Sequence, residues 1–348
     1  MSVSLPTVPS RASGPVRNAI LQIHPGLRCN LSCTHCYSSS GPEIRTALDV
    51  GIVCDVITDA AAMGYQVVSV SGGEPFLYKE LYDVLAHAKS LGLYTTVTTN
   101  GFFTGKDRLN HLRDLLDGLA ISLDGPPELH NEIRGSAFAF AKLEAGLEHV
   151  QKSEIPFGFI HCLTQRSWEH LLWIANFAAE SKARLLQIHP LELAGRANSK
   201  MLGSASEANV LAKVYVLAFA LAAKYAPEMK IQLDLLYRNH LREEPGLIYA
   251  DDLEDGLSQI SPAQLLGLLV LEADGSVVPV SYGFSRRFKI CNVKERGLAK
   301  AWPAYLASTY PEFRTLCRHV WRELSASQSP LLSNWHEVIV SRSHTAHL

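Results

Sequence analysis

Three cysteines fall within eight residues of this chain, Cys29, Cys33 and Cys36, in the spacing C-x3-C-x2-C. Clustered thiols of this kind are metal ligands, because a disulfide uses two and a nucleophilic cysteine needs a base rather than two more thiols. Three is one short of a closed tetrahedral site. The set reads either as zinc completed by His24 or His35, or as a metal centre that leaves one position open. Four polar turns follow downstream: "SGGEP" at 71–75, "TTNG" at 98–101, "SLDG" at 122–125 and "HPLELAGRA" at 189–197. Read singly, each is an ordinary turn. His161 and His189 lie in apolar strand patterns and read first as core histidines.

Each motif is preceded by a short, β-branched or apolar run. "AILQIH", "QVVSV", "LYTTVTT", "GLAIS", "PFGFIHCL" and "RLLQIH" read as six strands. Helical periodicity separates them, beginning near Thr46, where Thr46 and Asp49 have capping-box spacing, and then over 77–90, 106–116, 138–151 and 168–180. Strands alternating with amphipathic helices predict a parallel α/β sheet, open or rolled into a barrel. The strand ends then share one rim, where ligands bind, and the separate motifs become one site.

Bulk properties set broad limits. The chain has 348 residues, 47% of them hydrophobic and 19% charged, which fits a globular protein with a sizeable core. A net charge of −2 offers no broad attraction for nucleic acid or anionic membrane. No apolar run reads as a membrane span, and the Ser/Pro-rich start, 1–17, reads as a flexible tail without a secretory signal. A reducing, cytoplasmic setting is expected. Cys54 and Cys162 read as small buried hydrophobes.

Taken together, Cys29-x3-Cys33-x2-Cys36, "GGEP" at 72–75, "TNG" at 99–101, "SLDG" at 122–125, His130 with Arg134-Gly135, and "GRA" at 195–197 resemble the radical S-adenosylmethionine (SAM) superfamily. The resemblance implies a partial (β/α)6 barrel over 18–200. It also implies a single [4Fe–4S] cluster held by Cys29, Cys33 and Cys36, with SAM chelating the fourth iron and being split by one electron for hydrogen abstraction. It assigns Gly72 and Gly73 to the SAM ammonium edge, with Glu74 orienting that strand end. Ser122 and Arg134 fall to the SAM carboxylate, Asn100 and Asp124 to the ribose or cluster loop, and Tyr37 to packing against cluster or adenine. His35 replaces the aromatic residue common before the third cysteine.

Beyond residue 200 a helical linker region, 201–264, contains one long apolar helix whose composition predicts burial. Residues 265–325 resemble a small α+β extension of the SPASM or twitch type, including a hairpin with Asp274-Gly275 at its turn. In relatives that hairpin ends in proline followed by cysteine, whereas here Pro279 precedes Val280. Cys291 and Cys317 are too few for an auxiliary cluster, so none is expected. Residues 326–348 read as a C-terminal tail.

The expected function is radical SAM modification of a carbon centre in a ribosomally made peptide, by cross-linking or epimerisation. A separate protein is expected to recognise the leader, and a flavodoxin or ferredoxin to donate electrons. The nearer rival is a small-metabolite substrate in cofactor or antibiotic biosynthesis. The farther is a zinc-binding scaffold.

Overall fold

A computed structural model describes residues 19–251 and 260–345; the predicted tail at 1–17 lies outside them. Seven strands run in chain order across one sheet: β1 (Ile20–Ile23), β2 (Val67–Val70), β3 (Tyr94–Thr99), β4 (Gly118–Ser122), β5 (Phe157–Leu163), β6 (Leu185–Pro190) and β7 (Lys230–Leu233), each parallel to its neighbour. The helices between them are α1 (Val50–Ala62), α2 (Leu81–Ser90), α3 (Lys106–Leu112), α4 (Pro127–Arg134), α5 (Ala139–Ser153), α6 (Leu171–Glu180), the short α7 (Ala197–Lys200) and α8 (Ala208–Tyr225).

Alternation of side chains along each strand gives the sheet two chemically different faces. Leu21, Ile23, Val68, Val70, Val97, Leu119 and Ile121 are buried in the main hydrophobic core shared with the helices. The opposite face carries half-exposed Gln22, Ser69, Thr96, Thr98, Ala120 and Ser122. Register pairs Gln22 with Ser69, Ser69 with Thr96, Ser122 with Ile160, and Cys162 with His189, which places all of these on one polar lumen face.

Several local details differ from the sequence expectation. Helix α1 starts at Val50, with Asp49 as N-cap accepting from the Gly51 amide at 2.8 Å. Thr46 is held elsewhere, because its carbonyl accepts from the Leu27 amide and straps 41–48 to the cysteine loop. Helix α4 was not predicted as an element, yet it carries His130 and Arg134. Its signals are Pro127 in the first turn and Gly135 in the left-handed position at φ 66°. Helix α8 is not buried all round: Val210, Val214, Ala218 and Leu221 are buried, while Val216 is 68% exposed. This helix is long and apolar enough by itself to cross a membrane, contrary to the reading from composition. Here one of its stripes packs beside β7.

The predicted hairpin forms as β9 (Leu268–Leu271) and β10 (Ser276–Pro279), after the two-residue strand β8 (Leu236–Tyr237), α9 (Arg238–Glu243) and α10 (Pro262–Leu265). Gly275 takes φ 93° at the turn, and Asp274 accepts from the Ser276 amide at 2.8 Å. The hairpin continues the barrel sheet: β9 lies parallel to β1, with Ile20 opposite Leu268 and Ile23 opposite Leu271. Strand β11 (Cys291–Asn292) then pairs with β10, and α11 (Leu298–Ser308) and α12 (Tyr310–Ser325) follow. Cys291 and Cys317 are buried in the hydrophobic core. The region read as a tail contains β12 (Leu332–Ser333), paired with β8, and α13 (Trp335–Ser343), which buries Ile339.

Candidate active site

The cysteine loop and the four polar turns lie at the carboxyl ends of parallel strands, while His130 and Arg134 sit on α4. The cysteine loop follows β1, Ser71 to Glu74 follow β2, Asn100 follows β3, Ser122 to Asp124 end β4, and His189 ends β6 with Leu191 to Arg196 following it. The loop packs as a small satellite cluster in which buried Cys29, Leu31 and Cys33 meet Cys36 and Phe102. Polar groups are aimed at the sulfurs. Cys29 Sγ accepts from the Leu31 amide at 3.5 Å and from Asn100 Nδ2 at 3.8 Å. Arg134 Nη1 lies 3.8 Å from Cys33 Sγ, and the Ser38 hydroxyl 3.5 Å from Cys36 Sγ.

This donor set fits an iron–sulfur cluster, whose sulfurs are tuned by hydrogen bonds of this kind. Burial pushes the Cys29 thiol up to about 12 and raises Cys33 as well, a bias that metal charge reverses. Among the described residues, no three Cys, His, Asp or Glu side chains converge on one point as a single zinc ion requires. A cubane spreads its three cysteine sulfurs over three irons.

Gly72 and Gly73 are required by the chain itself. A Cβ on Gly72 would stand 2.7 Å from the Gly26 carbonyl oxygen, and one on Gly73 only 2.1 Å from that of Arg28. The reason suggested by the resemblance, room for a ligand, is therefore joined by a tighter one, the passing backbone of the cysteine loop. Amide hydrogen bonds from Gly73 to Gly26 and from Glu74 to Arg28, each 2.9 Å, lock the two segments together. Buried Glu74 accepts from the Thr99 hydroxyl at 2.8 Å, the Asn100 amide at 2.9 Å and the Phe76 amide at 3.2 Å. It joins the β2 end to the β3 end.

Asp124 is the hub on the other side. It is fully buried, with Arg134 Nε at 2.6 Å and His35 Nε2 at 3.2 Å, and its own amide donates to His130 Nδ1 at 3.2 Å. Burial alone would raise this carboxyl, yet Arg134 and His35 hold it well below the usual range. Arg134 thus spends its Nε on Asp124 and Nη1 on Cys33. Ser122 ends β4 on the lumen face.

Tyr37, directly after Cys36, places its hydroxyl 3.3 Å from Ser71 Oγ and 3.5 Å from His24 Nε2. His24 is fully buried, and burial pushes its imidazole down to about 3, so it is neutral. Gly195 stands where a Cβ would meet the Tyr37 carbonyl oxygen at 2.1 Å. Arg196 donates to the carbonyls of Cys33 at 2.8 Å and Ser40 at 2.7 Å, so the "GRA" turn clasps the cysteine loop.

One charged cluster was given no role in the sequence reading. His189 Nδ1 lies 3.0 Å from Asp234 Oδ2, and Nε2 lies 3.1 Å from Glu192 Oε1, on the lumen face. Burial would lower this imidazole, but the two carboxylates raise it to about 10, which leaves it charged at neutral pH. The signal was present as a repeated pentapeptide: Leu21 to Pro25 and Leu186 to Pro190 both spell LQIHP. In both copies Gln and His fall on lumen-facing positions at a strand's carboxyl end. His161, in contrast, is a satisfied core histidine between the Leu123 carbonyl and Ser167. Cys162, read as a buried hydrophobe, is half-exposed on the lumen face opposite His189.

Comparisons with known proteins bear on the family and the fold. The chain is 27% identical over 287 residues to Fe-coproporphyrin III synthase of Methanosarcina barkeri, covering 79% of this chain and 71% of that protein. It is 29% identical over 164 residues to PqqA peptide cyclase of Methylocella silvestris, covering 46% of this chain and 44% of the relative. Streptococcus suis SuiB bound to precursor peptide SuiA superposes with a TM-score of 0.66 at 17% identity, over 86% of this chain and 67% of SuiB, a likeness of fold. Residues 23–178 match the Radical SAM superfamily, and with the cysteine loop, the glycine edge and the parallel sheet in place, the chain carries a radical SAM domain, the domain of SAM-dependent iron–sulfur enzymes.

Proposed function

We propose that Cys29, Cys33 and Cys36 hold a [4Fe–4S] cluster, and that Tyr37, Gly72, Gly73, Glu74, Asn100, Ser122, Asp124 and Arg134 frame the SAM site beside it. The observation that carries this assignment is the convergence of hydrogen-bond donors from β3, α4 and the loop itself on cysteine sulfurs next to the Gly72–Gly73 edge. When bound, such a cluster with SAM supplies one-electron cleavage of a C–S bond and, through it, hydrogen abstraction from an unactivated carbon. The chain's own residues do the positioning. Asp124 fixes Arg134 beside Cys33, Glu74 ties two strand ends together, and Arg196 closes the loop from above.

The substrate side is the β5–β7 part of the lumen, where Cys162, His189, Glu192 and Asp234 face one another's strands. The proposed substrate is a ribosomally made peptide, modified at carbon by cross-linking or epimerisation. The similarity to a peptide cyclase and to the fold of a peptide-bound enzyme supports it. A second reading, a small tetrapyrrole-like metabolite, is favoured by the longer match to Fe-coproporphyrin III synthase. Leader recognition by a separate protein, electrons from a flavodoxin or ferredoxin, and a cytoplasmic setting that keeps thiols reduced complete the proposal.

Anaerobic reconstitution with iron and sulfide tests the cofactor assignment: a brown protein should release 5′-deoxyadenosine from SAM with dithionite, and replacing all three clustered cysteines by alanine should abolish both. A colourless, zinc-loaded protein would refute it. Co-expression with short peptides encoded beside the gene should yield a peptide of altered mass. Conversion of a porphyrin with no peptide change would select the second reading.

A further inference from the structure

The rings beside the cysteine loop are completed from the far end of the chain. Tyr282, on the segment after β10, stacks on His24 with centroids 4.7 Å apart and planes at 13°, and meets Tyr37 edge-on at 5.6 Å. His24 is fully buried, and its Nδ1 has no hydrogen-bond partner among the described residues. It also backs the glycine edge, since a Cβ on Gly72 would stand 3.2 Å from both its Cα and its Cβ. A displacement of this imidazole is passed through the Tyr37 hydroxyl to the residue following Cys36, while the His24 backbone itself lies against the Gly72 edge.

The backbone that delivers Tyr282 is strained and firmly anchored. Val280 is buried and β-branched yet takes φ 70°, while the Ser281 amide donates to the Pro279 carbonyl at 2.8 Å, closing a γ-turn. Such conformations persist where surrounding contacts over-determine them, and they cluster at functional sites. The anchor here is Glu272, buried at the end of β9, which accepts from the Gly283 amide at 2.7 Å and from Arg286 at 2.5 Å. Tyr282 is held between these two fixed points.

We propose that Tyr282 is a positioning residue of the cofactor site: acting through His24 and Tyr37, it sets the glycine edge and the cysteine loop, so that the C-terminal segment governs how tightly SAM is held. This inference rests on the cofactor assignment above.

The test uses the full chain, reconstituted anaerobically. Tyr282→Leu should keep its iron content and circular dichroism but raise KM for SAM in substrate-free cleavage by about 2- to 12-fold, one aromatic pair converted at tenfold per 1.4 kcal/mol. Its kcat should change by less than about twofold, the signature of binding lost equally from ground and transition states. The electron paramagnetic resonance change of the reduced cluster on adding SAM should half-saturate at correspondingly higher SAM. Tyr282→Phe, which keeps the ring, should behave as wild type. If the leucine variant fails to load iron, Tyr282→Met, which also lacks a ring, takes its place under the same criterion. A wild-type KM and spectral titration in the variant lacking the ring would overturn the inference. Wild-type protein that loads no cluster would instead refute the underlying assignment, and is read before any variant is made.

Discussion

Fully buried Asp124 faces Arg134 and His35, so its substitution leaves a guanidinium without its carboxylate partner beside Cys33. Asp124→Asn should cost about 3–5 kcal/mol, the range for breaking a buried pair from one side, measured by anaerobic urea unfolding. The pH behaviour follows from the same contact. The folded carboxyl titrates well below its ordinary 3.8, so its stabilisation is present above that value and disappears only as pH falls further, through the folded value. Acidification to about pH 5 should therefore leave this pair intact, and Asp124→Asn should lose its difference from wild type only in stronger acid. Glu74 makes a related case. All its hydrogen bonds are accepted ones, so Glu74→Gln turns an amide NH2 toward at least one donor and should cost about 1–3 kcal/mol.

At the level of elements, the β6 end and its following loop form a clamp. His189 links Asp234, just past β7, to Glu192, and three residues further Gly195 and Arg196 rest on the cysteine loop. The imidazole's folded value, about 10, lies above its unfolded 6.5, so the clamp's stabilisation is full below 6.5, erodes as pH rises, and is gone beyond about 10. His189→Gln should therefore melt well below wild type at pH 6 but converge with it near pH 10, as thermal scans across that range would show. Gly195 has a different role. With φ 55° and no space for a Cβ, Gly195→Ala should lift Arg196 off the Cys33 carbonyl and lower the melting temperature.

For the molecule as a whole, the C-terminal hairpin is part of the barrel. Strand β9 covers the edge of β1, and β10 and β11 extend the sheet beyond it. A chain cut at residue 264 would leave the β1 edge unpaired and strip cover from Leu21 and Ile23, both fully buried. That truncation should give an insoluble or non-cooperatively unfolding protein. The C-terminal segment also supplies Tyr282 and Glu272 to the site, so fold and cofactor geometry are lost together.

Much of this was readable along the chain because it is local. Strand–helix alternation, the Asp274-Gly275 turn and the crowding of Cys29, Cys33 and Cys36 depend on near neighbours, and parallel topology then obliges every strand-end motif to share a rim. Asn100 and Asp124 could be put on the cysteine rim on that basis, whereas Arg134, on α4, was assigned through the family resemblance alone. What escaped was contact between segments far apart in sequence. The two LQIHP copies have the same local pattern, yet one histidine is buried neutral under Tyr282 and the other is held charged by Asp234 and Glu192. The same limit hid β9 beside β1 and the half-exposed state of α8. Residue order determined the kind of chemistry and the run of the sheet. The charge of each histidine, the clasp of Arg196 and the reach of Tyr282 were set by which distant side chains meet in the folded core, because burial and partner charge, not residue type, decide the state of a polar group.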